Sequence, residues 1–421
     1  MPAAVEGIEI VETPRLRLER MRSGDDAELV RLLGDPRVGD TLGGTRTPAQ
    51  TQELLTAHLA HWDRHGYGLW MMRDRETGAF VGRGGLNHAR IGDRDELEVG
   101  WAVVPERQGE GLATELAHAS ARIALHGLGK PDVVSFTLPH NAASRRVMEK
   151  AGLAFEKDVD YKGRPHVLYR RRADPALPAP FAWDRDQVAV QLPGASGLFT
   201  TRRGGVSRGA FSTLNLGKLT DDEPGDVDAN RERLGAHTGL PWSRVCYGRQ
   251  VHGARVRRAT EPPGVARPYA DEDGQATALA DAACAVFVAD CAPVLLASDG
   301  AVAALHGGWR GLADGILAEG VRALRDLGVH GEIHAAVGPS ARGCCYEVGE
   351  EVHARFAAHD ARRGERRLAL EAVVRDQLEA AGVAAIHDCG ICTMCSDPSL
   401  LFSHRRDAGR TGRQAGLVWR S

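Results

Sequence analysis

Several features are missing from this chain, and each absence excludes a class of protein. There is no cysteine before Cys246, so all eight cysteines lie in the second half of the sequence. That half is too large to need disulfides for stability, and we interpret its cysteines as thiols or metal ligands. Nowhere do about 18 apolar residues follow one another, as a membrane-spanning helix requires. The first residues show no basic start followed by an apolar run, so we expect a cytoplasmic protein with no membrane partner.

An excess of basic charge is also missing. The formal net charge is -3, and residues of both signs are interspersed along the chain. Proteins that grip phosphate backbones carry a basic stripe or patch, and none is visible here. We therefore predict no nucleic-acid partner and expect small-molecule substrates.

The length and one proline-rich stretch predict two domains. A chain of 421 residues is too long for one ordinary core, because domains usually take about 100–200 residues. Residues 173–180 read ADPALPAP, and three prolines in eight residues are incompatible with an interior strand. We place a first domain at 1–172, a linker at 173–186 and a second domain at 187–421.

Hydrophobic periodicity predicts an α/β or α+β fold around a mixed sheet in each domain. In the first domain we predict strands at 15–19, 68–73, 80–87, 97–104 and 133–138, and helices at 25–33, 51–65 (capped near Thr47), 112–126 and 142–151. In the second we predict strands at 197–201, 285–288, 294–298 and 302–305, and helices at 229–238, 312–327, 350–359 and 369–381.

A glycine-rich turn joins the strand ending near residue 104 to the helix beginning at Leu112. Backbone amides in such a turn, with the positive end of the helix dipole, form a pocket for phosphates. The segment resembles the acetyl-CoA loop of the GNAT acetyltransferases, whose pattern Gln/Arg-x-x-Gly-x-Gly/Ala is matched by Gln108, Gly111 and Ala113. Residues 13–18 and 141–152 match the family as well, most closely its ribosomal-protein alanine acetyltransferase branch.

This resemblance implies acetyl transfer from acetyl-CoA to an amine, which is a protein N-terminus or a small molecule. The amides that would bind the pyrophosphate belong to Arg107, Gln108, Gly109, Gly111 and Ala113, and Asn141 would hydrogen-bond the pantetheine or nearby backbone. Many family members carry a tyrosine acid where this chain has Met148. Glu98 is the candidate base for the incoming ammonium; its alternative role is that of a solvated or paired strand carboxylate. A domain that binds without catalysis is a further alternative.

Two histidines and one cysteine stand in short turns of the second domain. They are His252 in QVHG, Cys291 in ADCAPV and His306 in LHGGWRG. Imidazole and thiolate together suit zinc or copper, and three protein ligands leave a fourth position open, as in a catalytic site. Each residue alone is more often a satisfied core residue, so the prediction depends on all three acting together.

The second domain resembles the laccase-domain (YfiH, multicopper polyphenol oxidase) family over residues 197–419. Besides the three ligand motifs, the matching segments are 199–207, 214–217, 230–231, 337–339, 344–349 and 402–407. The resemblance implies a zinc-dependent purine nucleoside phosphorylase with adenosine deaminase activity, in which His252, Cys291 and His306 bind the metal. The whole chain is then a bifunctional fusion that acts on acetyl-CoA, an amine, purine nucleosides and phosphate.

Phosphorolysis requires cations for phosphate and contacts to the nucleoside. Arg202, Arg310 and Arg405 are candidate phosphate ligands, and Asn215 is a candidate nucleoside contact, against a structural role in its own turn. Asp290 either holds a ligand imidazole or forms a turn. Deamination is less favoured as the sole activity, because known zinc deaminases have a His-x-Glu motif and His252 is followed by Gly253 and Ala254.

Two alternatives for the second domain remain open. A multicopper oxidase needs His-x-His pairs, and the 17 histidines form none; a single copper is less favoured than zinc. A cysteine hydrolase would use Cys291 as nucleophile and His306 as base, without a metal. The run Cys389-x-x-Cys392-x-x-Cys395 could bind a second metal together with His387 or form a redox pair, and we interpret it as a packed turn with reduced thiols.

Overall fold

The computed structural model describes residues 8–261 and 270–421. It divides into two compact units, Met1–Asp174 and Pro175–Ser421. Within the described residues, no helix combines the length and the apolar character needed to cross a bilayer.

The first unit is an eight-stranded mixed sheet with helices on both faces. The strands are β1 (Ile10–Glu12), β2 (Leu16–Arg20), β3 (Leu69–Asp74), β4 (Phe80–Ile91), β5 (Arg94–Val103), β6 (Asp132–Thr137), β7 (Ala154–Tyr161) and β8 (Arg164–Arg172). The helices are α1 (Asp26–Gly34), α2 (Pro36–Leu42), α3 (Pro48–His65), α4 (Leu112–Arg122), which a π-helical turn extends over Ile123–Gly127, and α5 (Ala142–Lys150). The strand order is β1-β2-β3-β4-β5-β6-β8-β7.

Local signals explain where the helices of this unit begin and end. Thr47 caps α3 by a reciprocal capping box with Gln50, and Gly66 ends the helix in the left-handed conformation. Leu112 and Leu116 of α4 pack against one face of the sheet, while Leu29 and Leu55 of α1 and α3 pack against the other. Between β5 and β6 the register consists of the single parallel pair Glu98–Val134. These two strands therefore diverge close to Glu98.

The second unit contains two six-stranded sheets and one strand pair. Its strands are β9 (Phe181–Asp184), β10 (Gln187–Leu192), β11 (Ala195–Phe199), β12 (Val245–Cys246), β13 (Val256–Ala259), β14 (Gly274–Thr277), β15 (Ala283–Val288), β16 (Ala292–Ser298), β17 (Ala301–Gly307), β18 (His334–Val337), β19 (Arg362–Arg363), β20 (Arg367–Leu368), β21 (Ala385–Asp388) and β22 (Gln414–Arg420). Its helices are α6 (Pro224–Thr238), α7 (Trp309–Ala313), α8 (Ile316–Asp326), α9 (Glu350–Arg355) and α10 (Leu370–Ala380).

The two larger sheets pack face to face, and α8 and α10 cover the outer face of one of them. The orders are β12-β15-β22-β11-β10-β9 and β13-β14-β17-β16-β18-β21. Leu295 of β16 faces the core between the sheets, whereas Leu296 faces the helices. Strands buried on both faces are uninterruptedly apolar, which explains why the runs at 294–298 and 302–305 were recognisable in the sequence.

The predicted α/β (α+β) class with mixed sheets is confirmed, and two details of the sequence-based description need correction. Residues 181–184 were assigned to the linker 173–186, but they form β9, which pairs with β10. The single helix predicted at 312–327 is divided into α7 and α8, because Gly315 between them has φ +86°.

Candidate active sites

The three ligand side chains of the second unit converge. Cys291 immediately precedes β16 and His306 lies near the end of β17, and the antiparallel register Pro293–His306 brings them side by side. His252 lies in the loop before β13, and its Nε2 is 3.8 Å from the Cys291 Sγ. One candidate ligand atom from each residue lies within 4.8 Å of the other two. A tetrahedral zinc ion would separate a thiolate sulfur from an imidazole nitrogen by about 3.6 Å, so the spacing suits one ion.

A buried carboxylate that the sequence alone did not indicate, Asp273, accepts hydrogen bonds from the loop of His252 and from the ring of His306. Asp273 accepts hydrogen bonds from the backbone amides of Val251 (3.0 Å), His252 (2.9 Å) and Gly253 (2.8 Å). It also accepts one from the Nδ1 of His306 at 2.7 Å. Because a carboxylate only accepts, Nδ1 carries the proton and Nε2 of His306 is left for a metal or a substrate. His252 has φ +64°, and the three hydrogen bonds from backbone amides to Asp273 stabilise this unusual backbone conformation.

Gly308 leaves room for the side chains of His252 and Cys291. A Cβ at this position would lie 2.8 Å from Cδ2 of His252 and 3.4 Å from the Cys291 Sγ. Any larger residue in place of this second glycine of the LHGGWRG motif would therefore collide with the ligand side chains.

The cluster changes the ionisation of its own members. Burial alone would raise the pKa of the Cys291 thiol, but the neighbouring His306 and His252 imidazoles lower it to about 6. Burial opposes the charge on His306 too, yet Cys291 and Asp273 raise its pKa to about 9. The charged pair, thiolate and imidazolium, is favoured at neutral pH in the metal-free protein.

The cluster opens into a cavity of about 380 Å³, a volume in the range of small-molecule sites. Its aromatic lining residues are Tyr247, Phe287, Trp309 and Tyr346, and its basic ones are Lys218, Arg231, Arg249, Arg310, Arg405 and Arg413. Such a lining can contact both a flat ring system and an anion.

Two of the three arginines predicted to bind phosphate lie on this cavity. The guanidinium carbon of Arg310 is 4.2 Å from the centroid of the Trp309 ring. That of Arg405 is 5.0 Å from the Tyr346 ring, and its Nη1 donates to the Glu347 carbonyl at 2.5 Å. Stacking on an aromatic face fixes the plane of each guanidinium and leaves its edge for an anion.

Arg202 and Asn215 do not line the cavity, contrary to their predicted roles. Arg202 donates to the carbonyls of Ser212 and Pro398. The amide of Asn215 is fully buried and bonds to partners in its own turn and to the Arg413 backbone. Asn215 therefore shapes the turn that carries Lys218 and has the structural role that was its alternative.

Asp290 lines the cavity, but Asp273 and not Asp290 bonds to a ligand imidazole. Asp290 accepts from the Thr393 hydroxyl at 2.6 Å and from the Arg405 amide at 2.8 Å. Its φ of +91° is in the left-handed region, and the residue lies in the turn before β16. Its carboxylate ties the segments carrying Thr393 and Arg405 to the turn that carries Cys291.

Two clusters escaped the sequence analysis as groups. Cys344, Cys345, Cys392 and Cys395 place their sulfur atoms within 4.8 Å of one another, and His61, His65 and His88 place one ring nitrogen each within the same distance. In the histidine group, the Tyr67 carbonyl and hydroxyl lie 3.0 Å from the Nδ1 of His61 and the Nε2 of His88. The sequence shows the C-x-x-C spacing of Cys392 and Cys395, but it does not show that Cys344 and Cys345 join them or that His88 joins His61 and His65, because these residues come from separate segments.

In the first unit, the glycine-rich turn is held by its own side chains. Gly109 and Gly111 both have φ +84°, and Gly111 is the N-cap of α4, followed by Leu112 and Ala113. Arg107 bonds to Glu110 and Asp74, and Gln108 donates to the Val103 carbonyl. These contacts occupy the two side chains within the protein. The amides of Arg107 and Gln108 donate to the carbonyls of Val104 (3.0 Å) and Pro105 (3.3 Å), contrary to their predicted role. The amides from Gly109 to Ala113, at the N-terminus of α4, remain the candidates for an anion.

Asn141 and Glu98 lie on different elements of the first unit, Asn141 at the start of α5 and Glu98 in β5. Asn141 caps α5 by accepting from the Ser144 amide at 3.1 Å, and it donates to the Thr137 hydroxyl at 3.0 Å. Its contacts are thus to nearby protein groups. Glu98 is partly exposed where β5 and β6 diverge, and burial raises the pKa of its carboxyl to about 7, against the lowering effect of Arg83.

Comparison with known proteins gives matches for both units. The family model described as multi-copper polyphenol oxidoreductase laccase matches residues 196–421, and the acetyltransferase (GNAT) domain model matches residues 15–154. A purine nucleoside phosphorylase of Streptomyces coelicolor is 42% identical over 236 residues, which are 54% of this chain and 96% of that protein. The structure of YlmD from Geobacillus stearothermophilus is 32% identical, with TM-score 0.52, over 58% of this chain and 99% of that one. The YfiH protein of Bacillus licheniformis is 29% identical, with TM-score 0.54, over 58% of this chain and 100% of that one.

Proposed function

Because this chain belongs to the multi-copper polyphenol oxidoreductase laccase family and carries a GNAT acetyltransferase domain, we propose that it is a bifunctional enzyme. The second unit is a zinc-dependent purine nucleoside phosphorylase that also deaminates adenosine, and the first transfers acetyl groups from acetyl-CoA to an amine. One observation supports the second unit's activity most: His252, Cys291 and His306 meet at a cavity lined by aromatic rings and arginines.

The donor set suits zinc. Two imidazoles and a thiolate are ligands that zinc prefers, and three protein ligands leave one position for substrate. The Asp273 carboxylate fixes His306 in the way that carboxylates orient metal-binding histidines elsewhere. When bound, the ion would supply a positive charge that polarises an oxygen atom of the substrate.

The cavity lining accounts for the substrates. Tyr247, Phe287 and Trp309 line the cavity and offer apolar ring surface to a purine, and Arg310 and Arg405 offer guanidinium donors to phosphate. In phosphorolysis, a phosphate oxygen forms a bond to C1′ of the ribose while the C1′–N9 bond breaks. The electron pair of that bond leaves with the purine, which takes up a proton, and ribose 1-phosphate is the other product.

Adenosine deamination would use the same cavity. Water adds to C6 of the purine, a proton moves to the leaving amino group, and ammonia departs. This transfer needs a group that accepts and releases a proton, and among the described residues Asp290 is the carboxylate that lines the cavity. We assign the proton transfer to Asp290 in place of the glutamate found in a His-x-Glu motif.

Product analysis tests this assignment. Purified protein is incubated with inosine, with and without phosphate, and with adenosine. We expect hypoxanthine and ribose 1-phosphate only when phosphate is present, and ammonia from adenosine. Base release without phosphate would identify a hydrolase, and unchanged nucleosides under every condition would refute the proposed activity.

A metal-free cysteine hydrolase is the second candidate, and the ionisation of the cluster favours it. The pKa of Cys291 is lowered to about 6, and that of His306 is raised to about 9. In this candidate Cys291 is the nucleophile, His306 is the base, and Asp273 orients the His306 imidazole by a hydrogen bond. This candidate predicts full turnover in the presence of a chelator, whereas the zinc proposal predicts none.

For the first unit, acetyl-CoA would place its pyrophosphate on the amides between Arg107 and Ala113. The amine nitrogen bonds to the acetyl carbon and the carbon–sulfur bond breaks. The amine's proton passes to Glu98 through water, and the sulfur is protonated by solvent. A panel of N-terminal peptides and small amines, assayed for coenzyme A release, identifies the acceptor class. If no amine releases coenzyme A faster than acetyl-CoA is hydrolysed without an amine, the first unit is a binding domain and not an acetyltransferase.

A further inference from the structure

Four cysteines of the second unit come together, two from the C-x-x-C-x-x-C run and two from a segment more than 40 residues earlier in the chain. Cys344 and Cys345 follow β18, and Cys392 and Cys395 follow β21. Their four sulfur atoms lie within 4.8 Å of one another, and the Sγ atoms of Cys344 and Cys395 are 3.3 Å apart. Cys389, from the same C-x-x-C-x-x-C run, is instead buried in the core between the two sheets.

This spacing suits a tetrahedral ion. Four sulfurs bound to zinc at about 2.3 Å lie about 3.8 Å from each other, whereas the sulfurs of a disulfide are about 2.05 Å apart. All four cysteines are free thiols here. Cys392 is buried, Cys345 is partly buried, and Cys344 and Cys395 are exposed, so an ion could enter from the surface.

The backbone holds the two segments in place by contacts of its own. Ser340 donates its amide to the Ile391 carbonyl at 3.2 Å, and Thr393 donates its amide to the Ser340 carbonyl at 3.0 Å. Arg342 forms a two-pronged ion pair with Asp388, with N–O distances of 2.8 and 2.9 Å. The four thiols are therefore positioned before any ion binds, which is what a high-affinity site requires.

We propose that Cys344, Cys345, Cys392 and Cys395 bind a second zinc ion, with a structural role. Four protein ligands close the coordination sphere, so this ion has no position for substrate. It would join two walls of the catalytic cavity, because Tyr346 on that wall follows Cys345, and Thr393, which bonds to Asp290, follows Cys392. The assignment does not depend on the proposed catalytic function.

Zinc stoichiometry in the full chain tests the assignment, with the catalytic cluster disabled by Cys291→Ala in every sample. After loading with zinc and dialysis, we expect one zinc per chain in Cys291→Ala and in Cys291→Ala/Cys389→Ala, where the second cysteine lies outside the cluster. We expect none in Cys291→Ala/Cys344→Ser/Cys395→Ser. Absence of zinc from the single variant, or its persistence in the triple variant, would overturn the assignment. Loss of nucleoside turnover does not enter the result.

Thiol labelling of the unmodified protein keeps the test valid if the triple variant fails to fold. With zinc bound, the exposed Cys344 and Cys395 should resist iodoacetamide, and both should become reactive after a chelator is added. Mass spectrometry without reductant then identifies the alternatives. A disulfide within the cluster, bound iron with sulfide, or labelling that a chelator leaves unchanged would each refute a zinc site.

Discussion

The candidate sites of the two units consist of different groups, backbone amides in one and side chains in the other. In the first unit the proposed cosubstrate site consists of backbone amides in a turn, where the side chains of Arg107 and Gln108 are engaged within the protein. In the second unit the site consists of side chains from three separate turns, held by the buried Asp273. A backbone site tolerates replacement of most side chains near it, whereas a ligand cluster depends on each of its members. Single substitutions should therefore separate the two units clearly.

The largest expected effect is that of Cys291→Ala. We expect phosphorolysis to fall below detection, because the thiolate is one of three ligands and its loss leaves two imidazoles to hold the ion. Acetyl transfer by the first unit should be unchanged. Zinc content and hypoxanthine release are measured together, and Cys389→Ala is the matched control with both activities retained. A Cys291→Ala protein that keeps its turnover would show that the cluster is not the catalytic centre.

Glu98→Gln should have the next largest effect, confined to the first unit. A general base contributes about 10²–10⁴-fold, so kcat for acetyl transfer should fall by a factor in that range. Since burial raises the pKa of Glu98 to about 7, the unmodified protein should lose rate as the pH falls through 7 and the carboxylate is protonated.

The pH profile of coenzyme A release identifies the role of Glu98. In Glu98→Gln the step near pH 7 should be absent, while Glu76→Gln, in an exposed turn, should keep it. If Glu98→Gln retains the step, another group is the base and Glu98 is a strand carboxylate without catalytic function.

Cys291 and Glu98 could both be identified from the sequence, because the patterns around them are short-range. Capping at Thr47, the glycine turn before α4 and the apolar runs of β16 and β17 are all short-range patterns. Both family resemblances came from such patterns, and the family matches confirm them.

What the sequence did not disclose depends on contacts between distant segments. Asp273 stands beside Asp271 and Glu272, and only the fold shows which of the three carboxylates meets His306. Arg202 and Arg310 look alike in the sequence, but one is engaged by carbonyls and the other lines the cavity. Similarly, β22 pairs with β11 and β15, from which it is far removed along the chain.

Asp273→Asn tests how much the second unit depends on support behind its ligands. Substitution of such carboxylates typically costs 10–100-fold in metal affinity or activity, and we expect a loss of that size in both. Asparagine can also donate to His306 and so favour the wrong tautomer. Zinc affinity is measured by competition with a chelating dye, and Asp281→Asn, at an exposed ion pair with Arg244, is the control. Unchanged zinc affinity in Asp273→Asn would contradict the assigned role.

Arg310→Gln should produce the smallest of these effects. Loss of one charged donor pair to phosphate should raise the KM for phosphate about tenfold, in line with about 1.5–3 kcal/mol for hydrogen bonds to charged groups, with little change in the KM for inosine. Arg322→Gln, on the exposed face of α8 and paired with Glu319, is the matched control. If the KM values for phosphate and inosine rise equally, Arg310 has a structural role in the cavity wall and does not contact phosphate specifically.

The central claim is that His252, Cys291 and His306 hold a metal ion on which nucleoside cleavage depends. The most direct measurement is phosphate-dependent hypoxanthine release by the same protein sample before zinc removal, after zinc removal and after zinc is restored. The account predicts no release from the metal-free protein and recovery in proportion to the zinc bound at this cluster. Full release by protein shown to contain no metal would contradict it.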